Sequence, residues 1–148
     1  MSYTEEMGKK LNELLEKNYD AEAGYKNAAE KVKSSALKNY LLSRAKDRYD
    51  FGHELKQELR NVGQDPEKGT SLAGDVHRLW MDLKTALSSD KEEAVLEEAI
   101  RGEKTALQEY NEIIKNGELP LSTTTIIAKQ RDSVQNALVE AKALETIA

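Results

Sequence analysis

The sequence predicts an all-α fold: a bundle of four long helices, with a short extra helix in the connection between the second and the third. Three observations predict it. One third of the 148 residues are charged and only two are proline, which suits long helices with solvated faces. Apolar residues recur at alternating steps of three and four along separate stretches, the spacing of one helical face. Short links between most of these stretches favour antiparallel neighbours. A chain of this length supports one sizeable core, so residues 1–148 read as a single domain.

Helix 1 is expected from about Thr4, whose hydroxyl can cap free amides while Glu5 and Glu6 complement the helix dipole. It runs to about Lys33. Its inward stripe is Leu11, Leu15, Asn18, Glu22, Tyr25, Ala29 and Val32. Two members of that stripe are polar, and Glu22 is a carboxylate. A carboxylate on a core stripe must be paired, bind metal or be neutral, so Glu22 reads as the residue around which the interior is organised.

Ser34 or Ser35 caps helix 2, which spans about Ala36 to Val62. Gly63 suits the turn that follows, and Pro66 blocks continuation. Leu37, Leu41, Ala45, Gly52, Leu55, Leu59 and Val62 share one side, and Arg48 falls in the middle of that cluster. The next apolar stripe is Leu72, Val76, Leu79, Trp80, Leu83 and Leu87. Ser88-Ser89-Asp90 interrupts, and Glu92 and Glu93 mark a fresh start, so this region is two helices or one kinked helix. The helix 3 stripe is Leu96, Ala99, Ile100, Glu103, Leu107, Tyr110 and Ile114. Asn116-Gly117 and Pro120 end it. Helix 4 runs from about Ser122 to Ile147 with Ile127, Gln130, Val134, Leu138 and Ala141 inward. A weak internal repeat relates Glu22 with Tyr25 and Ala29 to Glu103 with Ala106 and Tyr110.

Glutamates facing inward from helices 1 and 3, with a long connection after helix 2, resemble the ferritin-like superfamily. In its di-iron members helices 2 and 4 each add a Glu-x-x-His pair. The segment Ser71-Leu-Ala-Gly-Asp-Val-His-Arg-Leu-Trp-Met-Asp-Leu-Lys84 is similar to the signature of a bacterial family of ferritin-like four-helix-bundle proteins of unknown function. Arg101-Gly102-Glu103 and Asp20-x-Glu22-x-Gly24 fit as well. The resemblance covers nearly the whole chain. It implies the fold and a link to stress physiology, and no established activity.

The candidate metal ligands are Glu22, Glu103 and His53. Asp50-x-x-His53 imitates Glu-x-x-His, yet the helical wheel turns Asp50 almost opposite the apolar centre and His53 well away from it. Arg48 takes the interior place instead, and a guanidinium neither ligates metal nor deprotonates. Helix 4 offers Gln130, Val134 and Leu138 there. Two carboxylates alone make a poor iron site. The expectation is therefore a buried polar network of Asn18, Glu22, Arg48, Glu103 and Gln130, with Arg48 bridging Glu22 and Glu103. Tyr25 and Tyr110 lend hydroxyls to it.

His77 reads as a structural residue, with a part in an interaction surface beside Trp80 and Met81 as the alternative. Trp80 and Met81 read as packing or as anchors for a partner. The Gly69–Gly74 loop lacks the Gly-Lys-Ser/Thr ending of a phosphate-binding loop, and two histidines assemble no nucleophile arrangement.

A net charge of −5 leaves no cationic excess for nucleic acid. No apolar run is long enough to span a membrane, and the N-terminus lacks a signal-peptide pattern. The absence of cysteine excludes thiol chemistry and fits a cytoplasmic setting. The expected protein is a non-catalytic, cofactor-free bundle acting by homodimerisation or by binding another protein. The competing expectation is an iron- or manganese-binding oxidoreductase.

Overall fold

Four helices pack as a bundle in the computed structural model, which describes residues 3–66 and 92–147. They are α1 (Tyr3–Lys31), α2 (Ser35–Asn61), α3 (Glu92–Asn116) and α4 (Leu121–Ile147). No strand occurs among the described residues. The extra helix expected around Trp80 lies outside them, with His77, Met81 and the whole Ser71-to-Lys84 segment.

Local chemistry sets the helix ends. Ser34 is the N-cap of α2 and its hydroxyl accepts the Leu37 amide at 3.3 Å. Gly63 (φ 76°) and Gly117 (φ 63°) take the left-handed conformation just beyond α2 and α3. Helix α1 already includes Tyr3, so Thr4 lies within its first turn and is not its cap.

Contacts at the helix ends fix the topology. Helices α1 and α2 are antiparallel across a short turn. Glu92, the first residue of α3, accepts the amides of Lys33 and Ser34 in that turn. At the other end Glu118, just after α3, meets Tyr3 and Lys10 of α1. There too Asn12 donates to the Asp65 carbonyl at 3.1 Å. Helix α3 therefore runs parallel to α2, and α4 returns antiparallel to both. The chain between Pro66 and Glu92 connects opposite ends of the bundle, a distance of about 40 Å set by the length of α2.

Packing is closest within the two hairpins, α1 with α2 and α3 with α4. Two apolar clusters fill the interior. One lies near the α1–α2 turn and contains Val32, Leu41, Leu96, Ile100 and Leu138. The other lies toward the opposite end and contains Leu11, Leu15, Leu55, Leu59, Ile127 and Val134. Each fully buried side chain of this size contributes roughly 1.5–3 kcal/mol. A layer of buried polar groups separates the two clusters, and it draws on all four helices.

Candidate functional site

Glu103 is the centre of that layer. It is 0 % exposed, because α3 buries the stripe of Leu96, Ala99, Ile100, Glu103 and Tyr110. Its Oε1 accepts a short hydrogen bond from the Tyr25 hydroxyl and a longer one, 3.4 Å, from Arg44 Nε. Its Oε2 accepts Arg48 Nη2 at 3.1 Å. Arg44 and Arg48 stand one turn apart on α2 and are 2 % and 4 % exposed. Two guanidinium groups thus close on one carboxylate, the geometry that planar donors favour.

The layer continues from there. Arg48 Nη1 donates to Asn18 Oδ1 at 3.0 Å. Asn18 Nδ2 donates to the Leu14 carbonyl at 2.9 Å and to the Tyr110 hydroxyl at 3.2 Å. Tyr110 donates in turn to Gln130 Oε1 at 2.6 Å. Gln130 Nε2 reaches the Phe51 carbonyl at 3.3 Å and Glu54 Oε1 at 3.2 Å. On the other flank Arg44 Nη1 pairs with Asp47, which also accepts Ser133 Oγ of α4 at 3.4 Å. Above this layer the Tyr40 hydroxyl donates to the Ala137 carbonyl at 3.1 Å.

Electrostatics follow the geometry. Burial pulls the Glu103 carboxyl upward, but the charges of Arg48 and Arg44 and the hydrogen bonds from Tyr25 and Arg44 hold it below the usual range. Burial works against the charged form of Arg48, yet Glu103, Tyr25 and Tyr110 keep it firmly protonated and above its usual value. Burial, then the Glu103 charge, pushes the Tyr25 phenol well above its usual value, and Tyr40 is raised for the same reasons. Tyr110 is pushed up to about 12, mainly by burial. The site therefore holds charged arginines, a charged glutamate and neutral phenols across the physiological range.

The structure brings together Asn18, Arg48, Glu103 and Gln130. It does not bring in Glu22, which is half-buried and is joined to none of them by a hydrogen bond or ion pair. Tyr25, one turn on, reaches the layer from α1 instead, donating to Glu103 rather than pairing with Arg48 as Glu22 was expected to. Arg44 supplies the second cation and is absent from the sequence reading. The signal for it was there: it lies four residues before Arg48 and is flanked by Tyr40, Leu41 and Ala45, which are all buried. Glu58 is another buried carboxylate outside that reading. It accepts Thr123 Oγ1 at 2.7 Å and Asn61 Nδ2 at 3.3 Å, tying α2 to the first turn of α4.

His53 is exposed and packs edge-on against Tyr49, with ring centroids 4.4 Å apart. Asp50 is bound by Lys46 on the same outer surface. Among the described residues no group of three His, Asp, Glu or Cys side chains is arranged to hold a metal ion. No described helix is long and apolar enough to cross a membrane.

A four-helix bundle with a buried arginine–glutamate layer defines a class by architecture. Within that class the chain belongs to the family described as a domain of unknown function, DUF2383, whose family model matches residues 6–116. The match takes in Asn18, Tyr25, Arg44, Arg48, Glu103 and Tyr110, and stops before Gln130. No curated protein matches the sequence.

Proposed function

We propose that this protein is a non-catalytic ferritin-like bundle whose interior is closed by an ion-pair network, and that it acts by associating with a second copy or another protein. The observation that carries the reading is Glu103: fully buried, with both carboxylate oxygens taken by Arg44, Arg48 and Tyr25. Ferritin-like metal proteins project carboxylates and histidines inward from all four helices at this level. Here α2 contributes two guanidinium groups and α4 contributes Gln130. Arginine repels a cation and cannot ligate one. The parallel arrangement of α2 and α3, joined by one long connection, supports the ferritin-like assignment.

The association arm rests on the surface. Leu42 and Tyr49 are exposed on α2, seven residues apart and thus on one face, and His53 extends the same stripe. The stress link and the cytoplasmic setting rest on the family resemblance and on the lack of cysteine.

Metal loading tests the reading. Protein prepared without chelators is exposed anaerobically to ferrous iron or manganese, desalted and counted for metal per chain, beside Glu22→Gln/Glu103→Gln. Substoichiometric metal in both is expected. One or more ions per chain, lost in the double variant, would replace this reading with a metal-carboxylate oxidoreductase. Sedimentation of the wild type and of Leu42→Ser/Tyr49→Ser tests the surface: dimer lost in the variant supports self-association, and an unaltered dimer removes the α2 face from it.

A further inference from the structure

We propose that the outer seam between α1 and α3 is the docking site of this chain's own Ser71–Lys84 segment, with Trp80 over the gap left by Gly24 and Gly102. The seam has a definite register. Lys17 with Glu109, Asn18 with Tyr110 and Tyr25 with Glu103 align the two antiparallel helices. That register sets Gly24 level with Gly102, two turns along from the Lys17–Glu109 ion pair and on the same side of each helix. At the Lys17 level side chains close the seam. At the glycine level no side chain is present to do so. Glycine inside a helix costs about 0.5–1 kcal/mol relative to alanine, a loss that close approach of another group to both backbones would offset.

These positions are covered. Gly24 and Gly102 are buried, and Asp20, one turn before Gly24, is 7 % exposed. Glu98, one turn before Gly102, meets Arg101 with Oε1 at 3.3 Å, while its Oε2 is buried and accepts no hydrogen bond. The described helices do not supply the cover. Helix α2 lies against the Leu15 and Tyr19 side of α1, α3 lies against the Lys17 and Tyr25 side, and α4 packs on α2 and α3. Asp20 stands on the side of α1 that none of them occupies.

The path of the chain names the occupant. It leaves α2 with the Asp65 carbonyl against Asn12, near the start of α1, and rejoins the bundle at Glu92 against Lys33 and Ser34, just past the end of α1. The residues between must travel the length of α1. Trp80 stands about halfway along them, as Gly24 does between Asn12 and Ser34. Leu72, Val76, Trp80 and Leu83 recur at helical spacing and give the segment an apolar side to lay on the seam. Arg78, beside them, is a planar donor suited to the carboxylates of Glu98 and Asp20. Trp80 then serves the bundle itself and is not open to a partner protein.

The full chain has one tryptophan and no cysteine, so a nitroxide on a single introduced cysteine reports contact with Trp80 by quenching its fluorescence. Ala23→Cys puts the label on an exposed position beside the seam, and Lys46→Cys and Val139→Cys put it on exposed positions of α2 and α4. The Ala23 label should remove most of the Trp80 emission, and the other two should leave it unchanged. Adding Gly102→Leu, which fills the gap, should restore the emission of the Ala23-labelled chain and shift it to the red, with circular dichroism confirming that the helices persist. Equal emission from the three labelled chains overturns the proposal, as does stronger quenching from Lys46 or Val139. A folded Gly102→Leu chain that stays quenched also overturns it. So does quenching that appears only when labelled Trp80→Phe chains are mixed with unlabelled wild type, which assigns the seam to the segment of a second copy.

Discussion

Replacing Arg48 with leucine is the sharpest probe of the interior. The change removes the 3.1 Å bond to Glu103 Oε2 and the 3.0 Å bond to Asn18 Oδ1. Breaking one partner of a buried ion pair costs about 3–5 kcal/mol, and stranding the Asn18 carbonyl adds about 1–3 kcal/mol. Leucine returns about 1.5–3 kcal/mol of apolar burial. The balance is a loss of about 3–5 kcal/mol, a large share of the roughly 5–15 kcal/mol that holds a domain together. Urea unfolding at pH 7 reads it directly. Arg48→Leu/Glu103→Gln should be less destabilised than the two single variants summed, by at least about 2 kcal/mol. The pH dependence carries a definite sign. In the wild type the Glu103 carboxyl is depressed, so its contribution is present above the unfolded carboxylate value and is lost as acid takes the pH through the folded value. Without Arg48, desolvation dominates and the carboxyl rises above its unfolded value. Its charged form then weakens the fold at neutral pH, and protonation relieves that. The gap between variant and wild type should narrow as pH falls from 7 toward 5. A loss under about 1 kcal/mol, or a gap that does not change with pH, refutes the ion-pair account.

Two further outcomes follow from the packing. A Cβ added at Gly52 would lie 3.6 Å from Leu15 Cδ1 and 3.7 Å from Tyr19 Cε1, ordinary contacts. Gly52→Ala should therefore raise stability by about 0.5–1 kcal/mol through helix propensity. A lower urea midpoint would show that α1 and α2 lie closer than this. Tyrosine ionisation, followed by ultraviolet absorbance, should split into groups. Burial should hold Tyr110 back to about 12, with Tyr25 and Tyr40 raised above the usual phenol value as well. These phenols are raised in the fold, so stability should fall as pH climbs above about 10. A single step would place the buried hydroxyls in solvent.

The helices were legible because their signals are local. Ser34, Gly63 and Gly117 mark ends through backbone chemistry that needs no partner. The stripes predicted most of the core, including the interior places of Asn18, Arg48, Glu103 and Gln130. Glu22 shows where a one-dimensional reading fails. Steps of three and four place it and Glu103 alike on inward stripes, and nothing along either helix tells them apart. The difference comes from α2, which presents Arg44 and Arg48 to Glu103, while the buried line of α1 passes from Asn18 to Tyr25 and leaves Glu22 at its edge. Arg44 was missed for a related reason. A stripe defined by apolar residues counts arginine as outward, although its neighbours Tyr40, Leu41 and Ala45 all face in. Asp20 is buried on the side of α1 away from Asn18, and no helical period predicts that.

The polar layer also answers a question that the apolar clusters leave open. Each hairpin packs closely within itself, so the joint between hairpins is the less constrained surface. Leucine, isoleucine and valine there would tolerate a shift of one hairpin along the other with modest repacking. The hydrogen bonds do not. Tyr25, Arg44, Arg48 and Asn18 belong to the first hairpin, while Glu103, Tyr110 and Gln130 belong to the second. A slip of one turn, about 5.4 Å, would strand Glu103 among apolar side chains and orphan both arginines. The layer adds little net stability over a well-packed apolar one. Its effect is to penalise every other register. That distinction can be measured. If Glu103, Arg44 and Arg48 are replaced together by Met, Leu and Leu, the protein should stay folded. The seam should then admit more than one packing, seen as extra or broadened methyl resonances for Leu15, Leu55, Ile127 and Val134. A single sharp set would show that shape alone fixes how the two hairpins meet.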